Sequence, residues 1–155
     1  MDEYLTLKLI HILSSTFLFG TGLGTAFYMW RADVSGNIQT IAVVSRNVVL
    51  ADWLFTTPAI IIQPLTGFWL MYLLGLPLNS TWIWSSLILY ILVGCCWIPV
   101  VFIQIRVSRL ATSLYEQDLP PNGEFHRLMH WWYGLGWPAF ISVIVIFWLM
   151  VFKPQ

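Results

Sequence analysis

The chain has 155 residues, of which 59% are hydrophobic and only 9% charged, and its seven basic and seven acidic residues cancel. A soluble domain carries roughly a quarter charged residues and would aggregate with so apolar a surface, whereas a disordered chain is polar and charged. A neutral chain also lacks the basic footprint that nucleic acid requires, so the composition leaves an integral membrane protein held in the lipid bilayer.

Four stretches reach the roughly 20 apolar residues that a spanning helix needs. They cover about 4–31, 49–75, 82–105 and 129–152. None alternates in polarity as a barrel strand would. The expected fold class is therefore all-α: a four-transmembrane-helix, up-and-down bundle forming a single domain over 1–155.

The first span opens on Asp2 and Glu3 instead of a basic region and is too long for a cleavable signal. His11, Ser15, Gly22 and Thr25 share one of its faces, and Ser14 and Thr16 lie beside them. Gly20-x-x-x-Gly24 has the spacing of a close-packing motif. No strand precedes that glycine run, so it is not a nucleotide loop. His11 falls about 10 Å from the bilayer midplane at 1.5 Å per residue. A neutral imidazole there suits haem or metal ligation, or proton carriage. Lys8 is on the same face and could pair with a lipid headgroup or a propionate. The plainer alternative is a hydrogen-bonded core histidine with a snorkelling lysine.

A loop of about 17 residues should follow, bringing Arg31 and Arg46 to one side. In the second span Asp52, Thr56, Gln63 and Thr66 share a face. Asp52 lies at the depth of Arg46, Arg106, Arg109 and His130, which predicts an ion pair, because intramembrane charges usually pair. The third span carries the stripe Ser86, Tyr90, Gly94, Trp97 and Gln104. Trp97 is near mid-span and needs a partner for its N–H. Cys95 and Cys96 read as small apolar packers. Pro58, Pro64, Pro99 and Pro138 each free a backbone carbonyl and kink a span. Polar stripes should turn inward, either as interhelical hydrogen bonds or as the lining of a cavity.

A longer loop, of about 23 residues, contains the turn Pro120-Pro121-Asn122-Gly123. At the entry to the fourth span, His126 and His130 stand i, i+4, a spacing that can set two imidazoles on one metal. With Trp131 and Trp132 they also read as an interfacial anchor. Five of the seven Lys and Arg residues fall in the first and third loops. The positive-inside rule then puts those loops in the cytoplasm and both termini in the periplasm of a bacterial inner membrane.

Two resemblances follow from particular residues. The segments Lys8-Leu9-Ile10-His11-Ile12, Trp97-Ile98-Pro99, Gln104-Ile105-Arg106 and Phe147 to Pro154 resemble a family of bacterial four-span inner-membrane proteins of unknown function. Lys8-x-x-His11 more remotely resembles the opening of HemJ-type protoporphyrinogen oxidases and CopD-type membrane proteins. That likeness implies haem or porphyrin handling through His11. The HemJ group also carries a functional basic residue in its third span, and this chain has no Lys or Arg between Thr81 and Gln104.

The first functional expectation is a haem b or porphyrin-binding redox or accessory protein. His11 is its ligand and metal-binding residue, Lys8 and Ser15 lie beside it, and Met71 or Met150 offers a second axial position. The alternatives are a non-enzymatic scaffold subunit in a homo-oligomer or membrane complex, and a small-molecule or ion transporter lined by Asp52, Gln63 and His11. Tyr90 and His130 complete the set of intramembrane polar candidates.

Overall fold

The computed structural model describes residues 2–77 and 80–154. In chain order the elements are α1 (Glu3–Ser35), α2 (Ile38–Ala51), a π-helical turn (Asp52–Thr56), α3 (Thr57–Leu73), α4 (Thr81–Glu116) and α5 (Gly123–Phe152). From α2 to α3 the chain runs as one continuous helix, so four helices long and apolar enough to cross a membrane pack as an up-and-down bundle. The basic loops define one end of it, called here the basic end. The termini and the connection after α3 define the other, the terminal end.

At the basic end the helices run well past the apolar windows, whereas at the terminal end they stop within about two residues of them. α1 alone has 33 residues, about 50 Å at 1.5 Å per residue, against a hydrocarbon core of about 30 Å. The expected 17-residue first loop is in fact only Gly36 and Asn37. Gly36 takes the left-handed conformation (φ 63°) that ends α1, and Asn37 accepts the Thr40 N–H at 2.9 Å to start α2. The third connection likewise shrinks to 117–122, closed by Asn122, which accepts the Phe125 N–H at 3.0 Å. Hydropathy marks where a helix leaves lipid, whereas caps mark where it stops.

The helical extensions at the basic end build the tightest core of the molecule. Met29, Ile41, Val48, Val107, Phe125 and Met129 bury there, with Ala32 and Ala111 allowing close approach. Most of these positions lie near or beyond the edge of the apolar windows. Water is the alternative environment for them, so the hydrophobic effect acts in full. Within the bilayer, helices associate only through packing and hydrogen bonds. There α4 pairs with α5 and α1 pairs with α3.

Three features behave differently from expectation. A Cβ added at Gly20 or Gly24 would meet nothing within 4 Å. The Gly20/Gly24 face therefore packs against no other helix among the described residues. Trp30, Trp53 and Trp131 are exposed as interfacial rings should be, but Trp132 turns inward and is buried. Cys96 is buried and Cys95 exposed, so only one of the two packs inside.

The prolines are accommodated locally. The π-helical turn at 52–56 immediately precedes Pro58, and the Thr57 N–H reaches back to the Asp52 carbonyl. This wider turn accommodates a residue that cannot donate to the helix ladder. Pro64 leaves the Ile60 carbonyl without its helical donor, and the Tyr90 hydroxyl of α4 donates to that carbonyl. We expect Tyr90→Phe to cost about 0.5–1.5 kcal/mol in thermal unfolding of the detergent-solubilised protein. In a Pro64→Ala background, where the carbonyl regains a helical donor, most of that cost should vanish. An equal cost in both backgrounds would show that the hydroxyl acts elsewhere.

Candidate functional site

The polar residues of the bilayer region assemble along one line on α3. Toward the terminal end, His11 Nδ1 lies 2.7 Å from Thr66 Oγ1. The Thr66 hydroxyl donates its proton within its own helix, to the Ile62 carbonyl at 2.8 Å. In that arrangement Thr66 Oγ1 accepts from His11, with the imidazole proton on Nδ1 and the Nε2 lone pair free; the same 2.7 Å contact also fits the reverse arrangement, with the hydroxyl donating to Nδ1. The His11 ring packs against α3 beside Gly67, where a Cβ would sit 3.4 Å from His11 Cε1. One turn along α1, the Ser14 hydroxyl donates to Gln63 Oε1.

Further toward the basic end comes the Tyr90 hydroxyl on the Ile60 carbonyl. Beyond it, Thr56 Oγ1 donates to Asp52 Oδ1 at 2.8 Å. Gln104 is the other polar neighbour of the Asp52 side chain. Positions 66, 63, 60, 56 and 52 thus present one polar group per helical turn over about 20 Å. Asp52, Thr56, Thr66, Ser14 and Gln104 are all buried inside the protein. Polar groups at membrane depth must face protein, since lipid offers no partner.

Two sequence expectations change here. Asp52 does not join an ion pair; the salt bridge among the described residues is Arg106–Glu124, on the surface at the basic end. His130 is exposed, and so are Arg46, Arg106 and Arg109, whereas Asp52 sits inside. Asp52 is buried beside Gln104 of α4, away from that exposed basic rim. The second change concerns α1. Ser14, not Ser15, faces α3, and Ser15 donates back to the Ile12 carbonyl at 2.7 Å. Periodicity admits either serine beside His11, and only the position of the partner helix chooses.

The remaining candidates are dispersed. Lys8 is exposed, with its ammonium 5.6 Å from the Tyr4 ring centroid. Met71 is half-buried on α3, and Met150 is exposed on α5, whose main packing partner is α4. His126 and His130 are both exposed at the membrane edge, and among the described residues no three His, Cys, Asp or Glu side chains cluster to hold a metal.

Buried polar atoms at the basic end are less complete. Gln104 Oε1 and Trp132 Nε1 have no hydrogen-bond partner among the described residues, and both residues line one narrow cleft with Ser45, too tight for a water molecule. The Trp97 N–H at mid-span also lacks the partner that the sequence called for.

A larger cavity lies elsewhere. It is a groove of about 570 Å³ between α1 and α5, lined by Phe27, Trp30, Asp33, Tyr133 and Trp137 among others. At its edge the Tyr133 hydroxyl donates to Asp33 Oδ2 at 2.8 Å. Neither residue stands out in the sequence. Asp33 reads as part of a loop until α1 is seen to continue through it, and Tyr133 is one aromatic among many.

The His11 tautomer gives a direct prediction. Thr66→Val removes the acceptor while nearly keeping the shape. Nitrogen NMR of the imidazole should move from a single Nδ1–H form to a mixture of both tautomers. An unchanged spectrum would assign the proton to another partner.

The chain belongs to the family described as predicted integral membrane protein (DUF2269), whose model matches residues 5–154. No curated protein and no solved structure matches it, so the likeness to HemJ and CopD rests on Lys8 and His11 alone.

Proposed function

We propose that this DUF2269 protein carries protons or small cations across the bilayer along the polar face of α3. The carrying observation is the unbroken series of one polar group per turn from Asp52 to Thr66, ended by Asp52 on one side and His11 on the other. Chains of Asp, Glu and His inside a membrane are the usual material of proton relays. Each end has a group able to bind and release a proton, and hydroxyls and amides lie between. The prolines and the π-helical turn supply the irregular backbone that a polar path needs within an otherwise regular bundle. On the positive-inside rule we assign the basic end to the cytoplasmic face of a bacterial inner membrane.

The experiment is flux into proteoliposomes. Purified protein is reconstituted, an acid jump is imposed, and an entrapped pH dye is followed. Faster equilibration than in protein-free vesicles supports the reading, and equal rates with correctly inserted protein overturn it. Replacing the acid jump by a sodium or potassium gradient separates protons from other cations.

A second reading is favoured by one observation. A ligating histidine normally donates its other ring N–H to a fixed acceptor, and His11 does so to Thr66, with Nε2 left free, when the Thr66 hydroxyl donates to the Ile62 carbonyl. A haem b held there by His11, with Met71 on the adjacent helix, would give the protein a redox role. The two cavities described above have no wall at His11, so the macrocycle would have to lie on the outer surface of α1 and α3. The visible spectrum of the purified protein tests this. A Soret band lost in His11→Ala supports it, and its absence after haem supplementation sinks it.

A further inference from the structure

We propose that the groove between α1 and α5 is a binding site for one zwitterionic phospholipid with an ammonium head, a site separate from the polar face of α3. The two helices do not pack backbone to backbone. Phe19 bridges them by stacking on Phe140 (5.4 Å between centroids), and Tyr133 bridges them through Asp33. The groove is open at Gly136, where a Cβ would meet nothing within 4 Å.

The chemistry of the groove selects its occupant. Asp33 is held by the Tyr133 hydroxyl on Oδ2, and its other oxygen has no partner among the described residues. Trp30, Tyr133 and Trp137 line the same groove. A carboxylate that shares a groove with aromatic rings suits an ammonium group, through a charge-assisted hydrogen bond and cation–π attraction. Arg31 is not among the residues that line the groove; its guanidinium carbon lies 5.6 Å from the Trp30 ring, and it joins no salt bridge among the described residues. The described lining therefore presents one carboxylate and no cationic side chain. An ammonium head satisfies it, whereas an anionic lipid would leave Asp33 facing phosphate.

Position and shape agree with a lipid. Asp33 and Arg31 lie at the basic end of the α1 span, at headgroup level. From Asp33 the groove follows α1 to Leu23, about 15 Å into the apolar region. Leu23, Phe27 and Phe140 form that deeper part, which suits an acyl chain. The groove opens outward along its length, so a lipid can enter sideways from the bilayer.

The test is native mass spectrometry of the detergent-solubilised protein, titrated with dioleoyl-phosphatidylethanolamine or with dioleoyl-phosphatidylglycerol. One ethanolamine lipid should bind at least about fivefold more tightly than the glycerol lipid. Asp33→Asn should bring the ratio close to one. Trp137→Ala, at an exposed position that folding tolerates, should lower it as well. Val151→Ala, on a lipid-facing part of α5 outside the groove, should leave it unchanged. Equal binding of the two lipids by the wild-type protein overturns the proposal, as does a preference that survives both Asp33→Asn and Trp137→Ala. A lipid-free dimer whose interface is this groove overturns it too, because a second copy would then be the occupant.

Discussion

Asp52→Asn is expected to lower acid-driven flux into proteoliposomes by more than about tenfold, equivalent to at least about 1.4 kcal/mol on the barrier, while leaving the fold intact. The asparagine keeps an oxygen to accept the Thr56 hydroxyl, which now meets Asp52 Oδ1 at 2.8 Å. It also keeps the volume of a side chain that is buried against Gln104. What it loses is the ability to take up and release a proton. Asp52→Glu retains that ability and should recover part of the flux. If the asparagine variant conducts like the wild type at equal reconstituted amount, Asp52 is a structural hydrogen-bond acceptor and the relay reading fails.

The largest effect on stability should come from Phe125. Its side chain is 0% exposed at the basic end, in the core that also holds Val107 and Met129. Phe125→Ala should cost about 3–5 kcal/mol, combining lost transfer energy with an unfilled cavity. Unfolding by heat or by added denaturing detergent, followed by tryptophan fluorescence, would measure it. Val151→Ala is the comparison: it is 75% exposed on a lipid-facing surface and should change little. The contrast arises because residue 125 lies one turn before the apolar span begins, where water competes for it. A lipid-facing side chain exchanges one apolar neighbour for another. Equal costs for the two variants would mean that the basic end is not the anchor of the bundle.

Arg106–Glu124 illustrates how little the surface charges decide. That pair joins the first turn of α5 to the outer end of α4 at 2.6 Å, but the two side chains remain 65% and 36% exposed. Exposed pairs of this kind contribute at most about 1 kcal/mol. The buried apolar residues at 41, 107 and 125 hold the basic end.

Much of this was legible in the chain itself. Four long apolar stretches in 155 residues require four helices, because lipid cannot satisfy an open backbone. The residues of the α3 polar face, from Asp52 to Thr66, follow from helical periodicity alone. His11 stands out as an ionisable group at depth. Tertiary structure decided which of these groups meet. Ser14 was chosen over Ser15 by the position of α3. Asp52 meets Thr56 and Gln104 instead of an arginine, because its helix face is packed against α4 while the arginines stay at the exposed rim. Gly20 and Gly24 face no other helix among the described residues, although their spacing would permit one. Asp33 and Tyr133, one hundred residues apart, became a pair only when α1 continued past its apolar window. Hydropathy is a property of each residue in its own solvent and can be summed along a chain. A hydrogen bond between helices depends on rotation and register to within about an ångström, and those are fixed by all the packed neighbours together.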